Sequence, residues 1–110
     1  MELIKLIFDA ISRLISFVVK IIEGVLNFVK HIKEWFQSLR LSSGVDIPFI
    51  ARKDALRDMI KSAPVKDVGI FCGVYNESKD EITAAQDIQA DSLDRQTQDL
   101  LKGEPLVVLK

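Results

Sequence analysis

Leu14-Ile15-Ser16-Phe17-Val18-Val19-Lys20-Ile21-Ile22-Glu23-Gly24-Val25-Leu26-Asn27-Phe28-Val29 is the stretch on which the reading of this chain turns. It lies inside a longer apolar pattern. Ile4, Ile7, Ile11, Leu14, Val18, Ile21, Val25, Phe28, Ile32, Trp35 and Leu39 recur at spacings of three and four. That heptad seam predicts one long amphipathic α-helix from about residue 2 to 40. At ~1.5 Å per residue it would reach roughly 57 Å. A globule of this size has a radius of gyration of only ~13 Å, so its own domain could not cover such a helix.

A second apolar column, Phe8, Ile15, Ile22, Val29 and Phe36, widens the seam. The polar residues gather into a narrow stripe that includes Arg13, Lys20, Glu23, Asn27 and Lys30. So broad an apolar surface needs a cover. Copies of the same helix in a coiled coil or helical bundle would supply one. Lipid would supply another, with Trp35 at the interface and Lys30, His31, Lys33 and Arg40 holding the rest of the chain in the cytoplasm, at the inner face of a membrane. A groove on a different protein is the third. The competing structural reading folds the helix back as the core of its own domain. Charges interrupt every window of about 18 residues, which argues against a conventional spanning helix. Asp9, Arg13, Lys20 and Glu23 in the apolar region also argue against a cleavable leader.

Beyond residue 41 the texture changes. The first 41 residues hold six basic and four acidic side chains and no proline; the remainder holds nine basic, twelve acidic and all three prolines. Ser42-Ser43-Gly44 and Pro48 mark a linker, 42–48, between the helix, 1–41, and a small domain, 49–110. In that domain residues 52–62 read as a short helix stopped by Pro64. Residues 67–75 and 81–90 read as strands joined by a turn at 76–80. A helix capped by Asp91 or Ser92, with Asp94 in its first turn, ends at Gly103, and a last strand spans 106–109. The expected fold is therefore α+β: a long N-terminal helix, then an α-β-β-α-β domain. Its three-stranded antiparallel sheet has the order 2-1-3, with helices on one face.

Composition narrows the function. The 110 residues carry 15 basic and 16 acidic side chains, a net charge of −1, so no basic excess favours nucleic acid. One cysteine, Cys72, and one histidine, His31, cannot make an internal disulfide or a closed zinc site. Cys72 falls on the inward register of a strand, as an inert core thiol does. His31 sits among lysines with no nucleophile nearby. Asp87, Asp91, Asp94 and Asp99 read as a solvated face and a helix cap, lacking the glycine and terminal glutamate of a calcium loop. Gly69 and Gly73 make no phosphate loop, since no Gly-Lys-Ser/Thr follows. No catalytic group, metal site, cofactor site or small-molecule substrate is indicated. The sequence points to a non-catalytic, self-assembling homo-oligomer, membrane-associated through its helices. A soluble adaptor whose helix enters another protein's groove is the alternative. Ile4, Ile7, Ile11, Leu14, Val18, Ile21, Val25, Phe28, Ile32 and Trp35 are its expected interface.

Overall fold

The computed structural model describes residues 2–60 and 65–109. Its order is α1 (Leu3–Ser12), β1 (Val18–Ile21), β2 (Val25–Leu26), a wide-turn helical segment Phe28–Lys33, α2 (Glu34–Ser38), β3 (Asp46–Arg52), a 3-10 turn Lys53–Leu56, β4 (Val68–Asn76), β5 (Glu81–Ala90), β6 (Ser92–Leu93), α3 (Arg95–Leu100) and β7 (Leu106–Val108). One five-stranded mixed sheet runs β1-β5-β4-β3-β7, and β2 and β6 form a two-stranded parallel ribbon beside it.

The long helix is corrected. Helix α1 stops after ten residues. The reason lies in the quoted stretch. Ile15, Val18, Val19, Ile21, Ile22 and Val25 are β-branched, stiff at χ1 and better suited to a pleated surface than to a helix. Gly24 takes φ +105°, a left-handed conformation no helix continues through. Strand β5 offers an unpaired side, and Val18–Ile21 align parallel to Gln86–Gln89 along it. Two helical fragments survive on either side of the break, and they lie on opposite faces of the sheet. Ile7 and Ile11 of α1 pack with Phe49, Ala51, Phe71, Tyr75 and Leu106. Phe28, Ile32 and Phe36 pack with Ile50, Ile70, Cys72, Val74 and Ile88. Helix α3 joins this second layer through Leu100 and Leu101. Both cores thus combine early and late residues, and the radius of gyration is 13.0 Å.

The three-stranded antiparallel sheet is also corrected. The β4–β5 hairpin forms as expected, antiparallel over Val68–Asn76 and Glu81–Ala90 with a bulge at Val74/Tyr75. The last strand does not lie beside β4. Strand β3 intervenes, antiparallel to β4 on one side and to β7 on the other. It begins at Asp46, inside the stretch read as a linker. Pro48 disguised it, because proline lacks the N–H a central strand needs. Here the β7 ladder covers only Phe49–Ala51. Beyond it Pro48 contributes its carbonyl, which accepts from Leu109 N at 2.8 Å. The helix expected over 52–62 is a 3-10 turn at Lys53–Leu56. Its expected end, with Ala63 and Pro64, lies outside the described residues. Helix α3 is capped by Asp94, not by Asp91 or Ser92. Ser92 and Leu93 instead pair with Val25 and Leu26. Gly103, with φ +75°, follows α3 as the expected stop.

Candidate functional site

Two places on this scaffold are chemically unusual. The first is the sheet edge at β1. All four of its residues are exposed, and among the described residues its backbone has a strand neighbour on one side only. Val18 is 63% exposed, Val19 47% and Ile21 40%, and Ile15 and Val25 close by stand at 97% and 55%. Alternation places Val18 and Lys20 toward one face and Val19 and Ile21 toward the other. Apolar side chains therefore reach solvent on both faces of one edge strand. Lys20 is the strand's one charge.

The residues expected to form an interface divide between core and surface. Ile7, Ile11, Phe28 and Ile32 are buried in the chain's own two cores. Leu14 and Trp35 are partly buried against those cores. Ile4, Val18, Ile21 and Val25 remain exposed. Val18 and Ile21 lie on the edge strand β1, Val25 lies on β2 of the ribbon beside it, and Ile4 is on α1.

The stripe does not form a line. Arg13 Nη2 donates to Asp80 O at 2.6 Å, tying the end of α1 to the β4–β5 turn. In the same turn Tyr75 Oη donates to Asp80 Oδ1 at 2.5 Å. That bond to a carboxylate, with burial, pushes the phenol up to about 12. Glu23 pairs with Lys66 at 2.7 Å. Asn27 caps the next helical segment by accepting from Lys30 N at 2.9 Å, and its own N–H donates to His31 Nδ1 at 2.9 Å. Burial, with Lys20 and Lys30 nearby, lowers the His31 pKa below its ordinary value. Lys20 and Lys30 thus place two positive charges near a neutral His31 beside β1.

The second place is a buried polar network on the α1 face of the sheet. Asp87 is fully buried and Gln89 is 1% exposed. Lys53 Nζ lies 3.0 Å from Asp87 Oδ2, and Gln89 Nε2 donates to the same oxygen at 3.3 Å. Gln89 Oε1 accepts from the backbone N–H groups of Val65 and Lys66 at 2.6 and 3.1 Å. Gly69 makes room for this arrangement: a Cβ there would stand 2.8 Å from Lys53 Cδ. A cleft of about 640 Å³ opens beside the network at the start of β4. Its walls combine Ile60, Val68 and Leu93 with Arg52, Arg57 and Lys66.

Asp87 was expected on a solvated face and is instead the most deeply buried acid of that run. Its burial, like that of Gln89, follows from strand alternation: they face opposite Ile88 and Ala90, toward Lys53. The signal was legible in the alternation of β5, but not the identity of the lysine partner 34 positions away. Asp91 accepts from Gly24 N and pairs with Lys66, and these contacts hold its carboxyl below the usual range. Burial pushes Asp94 upward, but bonds from Thr97 Oγ1, Phe28 N and Thr97 N outweigh it and leave the group lowered. Cys72 is buried, and burial with Asp87 nearby pushes its thiol pKa up, which favours the protonated form. Among the described residues no cluster of histidine, cysteine and carboxylate side chains fits a metal ion. Among them, too, no helix is long and apolar enough to cross a membrane. Comparison with known protein families, with characterised proteins and with solved structures finds no match.

Proposed function

We propose that this protein is a non-catalytic, self-assembling component whose copies join through the β1 edge, with no coiled coil of long helices. One observation carries the reading. Val18, Val19 and Ile21 are exposed on both faces of a strand that has one strand neighbour among the described residues. A second strand laid along β1 would pair its free backbone groups and shield apolar side chains above and below the sheet at once. A lipid surface would cover one side only, and a helix in a groove would leave the backbone groups of β1 unpaired. Buried apolar area contributes roughly 25 cal/mol per Å². Lys20 in the middle of the strand keeps the edge from being an unrestricted aggregation site. The setting we propose is the cytoplasm. There the basic pair of Lys20 and Lys30 would face anionic lipid at the inner face of a membrane if the assembly docks there.

The test replaces Val18 and Ile21 together by lysine. Both side chains are exposed, so the fold has no reason to suffer. Light scattering should show the parent chain as an oligomer and the double variant as a monomer. Equal mass for the two would remove β1 from the assembly surface. Retained oligomers together with lost flotation on anionic liposomes would assign the edge to lipid instead.

A further inference from the structure

We propose that the cleft at the start of β4 binds a small organic anion with an apolar body, a medium-chain or aromatic carboxylate in size and chemistry. This goes beyond assembly and does not depend on it. The cleft's volume of about 640 Å³ falls within the roughly 300–1,000 Å³ common to small-molecule sites. Its apolar wall is Ile60, Val68 and Leu93, with Ile60 only 5% exposed. Its cationic wall is Arg52, Arg57 and Lys66.

The cations differ in how far they are already engaged. Lys66 is paired twice, with Glu23 at 2.7 Å and Asp91 at 3.3 Å. Arg52 meets Asp54 only loosely, at 3.7 Å between exposed groups. Arg57 Nε contacts the Asp54 backbone carbonyl at 3.4 Å, and among the described residues no carboxylate pairs with it. A planar guanidinium can take a carboxylate through two parallel N–H bonds, so Arg57, supported by Arg52, is the anchor. Asp54 and Asp67 also line the cleft, so a polyanion would meet their carboxylates and a single anionic group fits better.

The floor is preorganised. Gln89 fixes the backbone of Val65 and Lys66, and the Lys53–Asp87 pair fixes the side chain that lies over Gly69. The wall that carries Lys66 is therefore held in place before any ligand arrives, which lowers the ordering cost of binding.

Octanoate and octylammonium, each below its micelle concentration, separate charge from greasiness. Titrated into the full chain by calorimetry, octanoate should bind and raise the melting temperature, and octylammonium should do neither. Arg57→Gln should weaken octanoate about ten-fold or more, and Arg52→Gln should weaken it less. Both arginines are exposed, so the fold is expected to survive both changes. The Val18→Lys/Ile21→Lys chain should bind octanoate as the parent does. Equal binding of the two amphiphiles, an unaffected Arg57→Gln chain, or no binding by the parent would overturn the site. Loss of binding in the edge variant would transfer the ligand to β1 and overturn it too, whatever the edge variant's mass.

Discussion

The sheet has two edges, and they are built differently. Strand β7 is short, follows Pro105, and sends Leu106 and Val108 into one core and Val107 into the other. Strand β1 sends none of its four side chains into a buried position. Both are edges, yet β7 is closed by its own packing on both faces and β1 is not. A chain this size has limited apolar surface, and most of it goes to finishing the two helical layers and β7. The strand left unfinished is the one with the most β-branched sequence. On the function proposed above, β7 serves stability and β1 meets a second copy of the chain.

The largest effect should come one strand in from β1. Asp87 is the register partner of Val19 and holds the ammonium of Lys53. Removing one member of a buried ion pair strands the other charge, at about 3–5 kcal/mol. Asp87→Ala should lose that much in urea denaturation. A loss under about 1 kcal/mol would show that the pair is hydrated in solution, and that the β1 side is as loosely built in its interior as at its edge.

The direct comparison of edges follows. Leu106 is 1% exposed, so Leu106→Ala should cost about 2–5 kcal/mol. Val18→Ala, measured at a protein concentration low enough to keep the chain monomeric, should stay within about 0.5 kcal/mol. Equal costs would erase the contrast and make β1 an ordinary part of the core.

How much of this could be read beforehand depends on how local the determining contacts are. The β4–β5 hairpin, its turn, β7 and the stop at Gly103 were legible, because alternation and turn chemistry lie within a few residues of one another. The long helix that the seam predicts fails for a specific reason. Apolar residues at three and four suit a single helix, and they suit equally well two helical fragments serving opposite faces of a sheet. Ile7 with Ile11, and Phe28 with Ile32, are those fragments. What separates the cases is the β-branched run from Ile15 to Val25 and the free side of β5, and the second of these is a tertiary fact. Strand β3 was hidden by Pro48, which is tolerated because β7 stops short of it. Of the candidate edge, the heptad seam contains Val18 and Ile21, though for a helical reason. Val19 falls outside the heptad seam, while a period of two from Ile21 includes it. The cleft was invisible, since Arg57, Lys66 and Leu93 converge only through the sheet.

A smaller effect should appear where the chain leaves β1. Asp94 Oδ2 accepts from Phe28 N at 2.8 Å, and Asp94 Oδ1 accepts from Thr97 N and Thr97 Oγ1 at 3.0 and 2.6 Å. One carboxylate thus caps α3 and ties down the segment after β2. Asp94→Ala should cost about 1–2 kcal/mol, the usual range for a lost cap. In hydrogen exchange the amides of Phe28 and Leu26 should open faster, and those of β7 should not change. Equal acceleration in β7 would mean that the two edges unfold as one unit.

The smallest effect should be a response to pH near β1 with no counterpart at β7. His31 is the chain's one histidine, and its Nδ1 accepts the N–H of Asn27. That bond requires an unprotonated nitrogen. Burial and the nearby charges of Lys20 and Lys30 act in the same direction, lowering the pKa in the folded chain, while Asp94 and Glu34 oppose them. The folded state therefore binds protons less readily than the unfolded state, whose histidine titrates near 6.5. The associated stability is fully present above that value and is lost as the pH falls from about 6.5 toward the lowered folded value. Asp94, also lowered, acts in a separate and more acidic window. Its contribution is present above the ordinary carboxylate value and disappears as the pH falls through the folded one. A melting curve series from pH 8 to pH 5 should show a shallow decline beginning near 6.5. His31→Gln should remove the decline, because its side-chain oxygen can accept the same N–H without titrating. Since His31 is only partly buried, the decline should be small, and amide exchange at Asn27 should report it more sharply than the global transition. A decline of the same size in the glutamine variant would move its origin away from the β1 side altogether.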